Sequence, residues 1–134
     1  MKFGLRNTAF VYPNGTGDIW ADTKAHVQRA EQDQFDSFWV MDHFYQLPAH
    51  GSEEEPFLDA WTVLPALAVV TSRIRLGAMV SPVGYRNPAL LARMAASLDH
   101  ISGGRLNFGF GARGYKSEYQ AYGSAAWDRR SLCA

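Results

Sequence analysis

Short, almost wholly apolar runs alternate along this chain with stretches of helical spacing, and that alternation limits its possible folds more than any other feature. Phe3-Gly4-Leu5, Phe35 to Met41, Arg75 to Val80 and Leu106 to Phe110 each read as a strand. Strands apolar nearly throughout are covered on both faces, as in parallel sheets flanked by helices. Between them, residues 21 to 33 carry Ala21, Ala25 and Ala30 in a polar remainder, and Leu58, Trp61, Leu64 and Ala68 recur at helical spacing. Pro65 is expected to kink or shorten that second helix. The third helix has the fullest boundary signals: Asn87 as N-cap, Pro88 at the first helical position, an apolar face of Leu91, Met94, Leu98 and Ile101, and Gly103-Gly104 as a stop. A fourth is expected from Ser117 onward.

The order βαβαβαβ(α) implies parallel pairing, either in a doubly wound sheet or in a (β/α) barrel. Four such units are about half of an eightfold barrel, which takes about 250 residues. At 134 residues with 13 Lys+Arg against 13 Asp+Glu, the chain is neutral, which argues against a nucleic-acid partner. Cys133 is the sole cysteine, so no internal disulfide forms, and a cytoplasmic setting is the default expectation. The longest apolar run, Val63 to Val70, contains Pro65 and is far shorter than the roughly 20 residues that span a bilayer, so no membrane partner is expected. The opening MKFGLRNTAF lacks the apolar core of a signal peptide.

In parallel α/β folds, chemistry gathers at the carboxyl ends of the strands. Four such ends follow from the reading above: Asn7-Thr8, Asp42-His43, Met79-Val80-Ser81 and Gly111-Ala112-Arg113-Gly114. Asp42-His43 is the sharpest pair, since an imidazole at a strand end can exchange a proton with a bound ring. The competing structural reading has Asp42 capping a loop and His43 packed on Phe44 and Tyr45. His26 and His100 fall on helices and His50 in a loop, where a solvated or satisfied role is expected. Gly109, Gly111 and Gly114 spell GxGxxG after a strand, but a dinucleotide site needs a further strand and an acidic residue about 20 positions on, for which the sequence has no room. Glu53-Glu54-Glu55 reads as solvated, and the stretch from Tyr45 to Pro56 is long enough to suggest a functional loop or lid. No GxSxG, HExxH or Walker motif occurs.

Four strings carry a family resemblance: Phe35-Asp36-Ser37-Phe38-Trp39-Val40-Met41-Asp42-His43-Phe44; Ala60-Trp61-Thr62 with Thr71-Ser72-Arg73-Ile74-Arg75-Leu76-Gly77; Tyr85-Arg86-Asn87-Pro88-Ala89-Leu90-Leu91-Ala92; and Ile101-Ser102-Gly103-Gly104-Arg105-Leu106. Over residues 2 to 123 the chain resembles the bacterial luciferase-like flavin and deazaflavin oxidoreductases, most of all the branch using coenzyme F420. The resemblance implies the N-terminal half of a TIM (β/α)8 barrel. It also implies hydride transfer between the deazaflavin and a small organic substrate. An FMN-dependent monooxygenase is the nearest alternative, and a catalytically silent half-barrel serving as an assembly module is another.

Carried over by motif, His43 and Asp42 face the ring, with His43 as the proton-handling group. A cis non-proline peptide at Met79-Val80 props the ring from behind, and the backbone of Gly111, Ala112, Arg113 and Gly114 touches its edge. Two departures stand out: Arg113-Gly114 where many relatives read Gly-Trp, and Gln34 where a left-handed helix cap favours Gly. Residues 124 to 134 leave the family pattern, so the resemblance predicts a truncated, half-length product, with the cofactor's phosphate grip in the other half. Open edges at the first and fourth strands predict a homodimer.

Overall fold

Asn87 accepts from the backbone N–H groups of Ala89 and Leu90 at 2.9 and 3.3 Å, and Pro88 opens the helix that follows. The third helix therefore begins where its capping residues place it. It belongs to a computed structural model that describes residues 1–112 and 114–122. The elements are β1 (Gly4–Asn7), α1 (Ile19–Gln32), β2 (Ser37–Val40), α2 (Ala60–Val69), β3 (Arg75–Pro82), α3 (Pro88–Ile101), β4 (Leu106–Gly111) and α4 (Lys116–Ala121). The four strands form one parallel sheet in the order β1-β2-β3-β4. This is the run of βα units expected of half a barrel, with β1 and β4 at the two ends of the sheet.

Phe38, Val40, Leu76 and Ala78 point from the central strands into a layer formed by Val27 and Ala30 of α1, Leu64 and Leu67 of α2, and Leu91 and Leu98 of α3. Each large side chain sealed there contributes about 1.5–3 kcal/mol. Helix α1 starts two residues before its expected beginning because Asp18 caps it, accepting from Trp20 and Ala21 N–H at 3.0 Å each. Pro65 lies inside α2, which runs through it for ten residues. On α3 the buried positions are Leu91, Ala95 and Leu98, while Ile101 is 53% exposed. Ala95 joins the buried face, while Ile101 stands at the helix's end with Ser102 as its C-cap. Gly103 and Gly104 then turn the chain with φ of 68° and 83°.

Two polar clamps fix the amino ends of the strands. The Glu31 carboxylate at the end of α1 accepts from the successive N–H groups of Ser72, Arg73 and Ile74, at 3.0, 2.6 and 2.8 Å. Arg105 directs its guanidinium to the carbonyls of Ala68, Ile74 and Thr71 and to the Thr71 hydroxyl, joining the end of α2 to the start of β4. Gln34 between α1 and β2 has φ of 65°, the left-handed conformation expected at that position. On the sheet's other face Gly77 leaves room for the Trp39 ring, which would lie 2.9 Å from any Cβ added there. Among the described residues no helix is long and apolar enough to cross a membrane.

Candidate functional site

The strand register builds the site. Val40 of β2 pairs with Ala78 of β3, so the segments beyond them, Met41 to Phe44 and Met79 to Pro82, emerge side by side at the carboxyl edge. Pairing between β3 and β4 slips from Ala78 to Ser81. The Met79–Val80 peptide in that bulge is cis, as the resemblance implies. A bulge re-aims the side chains it carries, and here Met79 and Val80 are 41% and 43% exposed, an apolar shelf on the strand next to β2, whose continuation carries His43. Gly111 on β4 lies against this shelf, where a Cβ would come 2.9 Å from Val80 Cγ2.

His43 is held from one side only. Its Nδ1 lies 2.8 Å from Oε2 of Glu118, on the short helix α4, and the ring is 20% exposed. The other ring nitrogen has no protein partner among the described residues. Glu118 is fully buried and also receives the Phe44 backbone N–H at 2.6 Å and the Tyr85 hydroxyl. Burial by itself would raise its proton affinity, but the hydrogen bonds from His43, Tyr85 and Phe44 overcome that and hold the carboxyl below its ordinary range. An ionised carboxylate only accepts, so the network assigns the shared proton to Nδ1 of His43. The remaining nitrogen is then free to accept or release a proton.

Asp42, next to His43 in the chain, is placed quite differently. Its carboxylate is 0% exposed and accepts two bonds from Arg86 Nη1, at 2.9 and 2.8 Å, and one from Trp61 Nε1 at 3.1 Å. Trp61 Nε1 also lies 2.9 Å from the Ser81 hydroxyl. Arg86 reaches on to Asp59, the N-cap of α2, at 2.6 Å. Burial pushes the Asp42 carboxyl above its ordinary range, and the Arg86 guanidinium only partly offsets this. No face of Asp42 is open to a ligand; it ties β2, α2 and the loop after β3 together. Of the residues singled out from sequence, the fold thus brings His43, Met79, Val80 and Gly111 to one edge and sinks Asp42 beneath it. Ala112 is exposed beyond β4, and Gly114 backs onto Tyr85. Arg113 and residues 123–134, which include the tail expected to leave the family pattern, lie outside the described residues.

The profile of the Luciferase-like monooxygenase family matches residues 1–132. The chain belongs to this family. It is 39% identical over 103 residues to the pyrimidine monooxygenase RutA of Cronobacter sakazakii, a match covering 75% of this chain and 29% of that protein. It is 38% identical over 93 residues to the F420-dependent glucose-6-phosphate dehydrogenase of Amycolatopsis mediterranei, covering 68% of this chain and 27% of that one. Among solved structures it is similar to the monooxygenase RslO1 from Streptomyces bottropensis, with a TM-score of 0.77 and 27% identity over 99% of this chain and 39% of that chain. This luciferase-like chain therefore spans less than a third of the length of these two curated relatives.

Sequence reasoning missed three side chains that hold this luciferase-like edge in place, Glu118, Tyr85 and Arg86, and placed Ser81 at a strand end without naming its partner Trp61. Glu118 left one usable signal. It is an acidic residue in the first turn of the helix after a strand, at the end of the sheet where chemistry gathers. Tyr85 and Arg86 fall in one of the strings that carry the resemblance but bear no spacing that marks their partners. His26 is satisfied as expected, with Nδ1 3.3 Å from the Tyr12 hydroxyl and its ring edge-on to Phe38. Among the described residues no cluster of His, Cys, Asp and Glu is arranged to hold a metal ion.

Proposed function

We propose that this chain supplies the proton-handling side of a deazaflavin site, in an oxidoreductase that moves a hydride between coenzyme F420 and a small organic substrate. The observation that carries the reading is the juxtaposition of a one-sidedly anchored His43 with the exposed Met79–Val80 shelf. A planar ring system fits such a shelf, which offers apolar contact on its face and a hydrogen-bonding group at its edge. When bound, the deazaflavin supplies the two-electron hydride chemistry. The chain's own part is positional and protonic. Val80 and Met79 exclude water from the ring face, Gly111 lets β4 approach closely, and the free nitrogen of His43 takes or gives the proton that accompanies hydride transfer. The F420-dependent relative supports this choice of cofactor.

A second reading is an FMN-dependent monooxygenase, favoured by the monooxygenase names of RutA and RslO1. The same shelf and histidine serve either ring. Titrating the purified chain with F420 and with FMN, followed by ligand fluorescence, decides between them. Binding of F420 that weakens in both His43→Ala and Val80→Asp supports the first reading. Preference for FMN with the same dependence supports the second. A folded chain that binds neither sinks both.

A further inference from the structure

We propose that Tyr85 is a positioning residue for His43. Its hydroxyl fixes the rotation of the Glu118 carboxylate, and the carboxylate fixes which nitrogen of the His43 ring carries the proton. The proposal rests on His43 as the proton-handling group, but its test does not require a bound cofactor.

The direction of each hydrogen bond is determined. The Tyr85 oxygen accepts the backbone N–H of Tyr115 at 2.8 Å, so its own proton is left to point at Glu118 Oε2. Oε2 is the same oxygen that meets His43 Nδ1, whereas Oε1 takes the Phe44 N–H. Without the Tyr85 hydroxyl, Oε1 would keep the Phe44 N–H, but Oε2 would be left with His43 itself as its single donor among the described residues. Burial raises the affinity of the Tyr85 phenol for its proton, so it stays a donor throughout the physiological range.

The ring is as constrained as the hydroxyl. It stacks on Phe44 at 4.7 Å and 29° and meets Tyr119 at 5.1 Å and 67°. It also fills the space that a Cβ at Gly114 would need, which explains why a glycine stands there. Phe44 therefore contributes its ring to Tyr85 and its N–H to Glu118, closing a small cycle around the carboxylate. The other polar groups nearby are committed elsewhere. Arg86 lies over Phe44 at 5.9 Å but bonds Asp42 and Asp59, and the Tyr45 hydroxyl bonds Ser117 at 2.7 Å. Tyr115 meets the His43 ring only edge-on, at 6.4 Å.

A residue that merely packs would need the ring and not the oxygen, so Tyr85→Phe separates the two roles. The readout is ring nitrogen-15 NMR of His43 in the ligand-free chain, assigned with His43→Gln and recorded where the imidazole is neutral. In the parent protein the Nδ1–H tautomer dominates, with a slowly exchanging proton. In Tyr85→Phe that exchange accelerates at least about tenfold and the Nε2–H tautomer grows, as expected for losing a hydrogen bond to a charged group. Glu118→Gln has the same effect, and adding Tyr85→Phe to it produces no further change. Unchanged nitrogen shifts and exchange in a folded Tyr85→Phe protein would overturn the proposal. Should that variant not fold, 3-fluorotyrosine placed at position 85 keeps the shape and changes the strength of the donor; a changed exchange rate of the His43 proton is expected, and no change overturns the idea. Loss of F420 and FMN binding with the tautomer effect intact would sink the proposed function alone.

Discussion

Glu118 and His43 are 75 residues apart in the chain and 2.8 Å apart in the fold. A buried carboxylate with three donors anchors the histidine through Nδ1, and no protein group among the described residues holds the other ring nitrogen. The carboxylate's charge is matched only while all its donors are present.

Glu118→Gln should therefore destabilise the protein by about 1.5–3 kcal/mol, the scale of losing hydrogen bonds to a charged group. Chemical denaturation of the variant beside the parent measures it. A change within error would mean that the cluster contributes nothing to folding.

Replacing Arg86 should be more damaging than its position in a loop suggests. Arg86→Ala strands the fully buried Asp42 carboxylate and frees Asp59, and removing one partner of a buried pair costs about 3–5 kcal/mol. The double variant Asp42→Asn with Arg86→Ala should recover part of that loss. A double-mutant cycle read by urea unfolding gives the coupling, and strict additivity would contradict the structure.

Acid should loosen the amino end of the sheet through Glu31. Burial works against its ionised form, but the N–H groups of Ile74, Arg73 and Ser72 hold its carboxyl below the ordinary range. The folded state thus binds this proton less readily than the unfolded chain. The contribution is present above the ordinary glutamate range and lost as pH falls through the depressed value. Denaturation midpoints followed from neutral pH downward should drop less steeply in Glu31→Gln than in the parent.

Gln34→Gly should stabilise the fold. A side chain at φ of 65° meets its own backbone, and glycine does not. Glycine's greater freedom in the unfolded chain offsets part of the gain, leaving about 0.5–1 kcal/mol. A thermal midpoint that falls would show that Gln34 holds something beyond its weak 3.3 Å bond to the Gln32 carbonyl.

The sequence made the fold readable because local signals agreed: caps at Asn87, stops at Gly103 and Gly104, and apolar strands between them. It made the site only half readable. His43 and the Met79–Val80 shelf lie at strand ends, a position that chain order alone specifies. Glu118 looks like a solvated residue in the polar segment Lys116 to Gln120, since nothing local tells of a partner on another strand. Asp42 shows the opposite limit of reading from adjacency. Adjacency to His43 suggested a shared task, but the chain leaving β2 carries the two side chains into separate networks.

Helix α4 has only six residues, fewer than a free helix needs to persist in water. Its attachment to the sheet runs largely through side chains, with Glu118 at the centre and Ser117 bonded to Tyr45. Order in the site and docking of this last turn are consequently one event. Whatever uncouples the carboxylate lets the helix lift away, and amide protection along residues 116–121 should rise and fall together with the protection of the His43 ring proton.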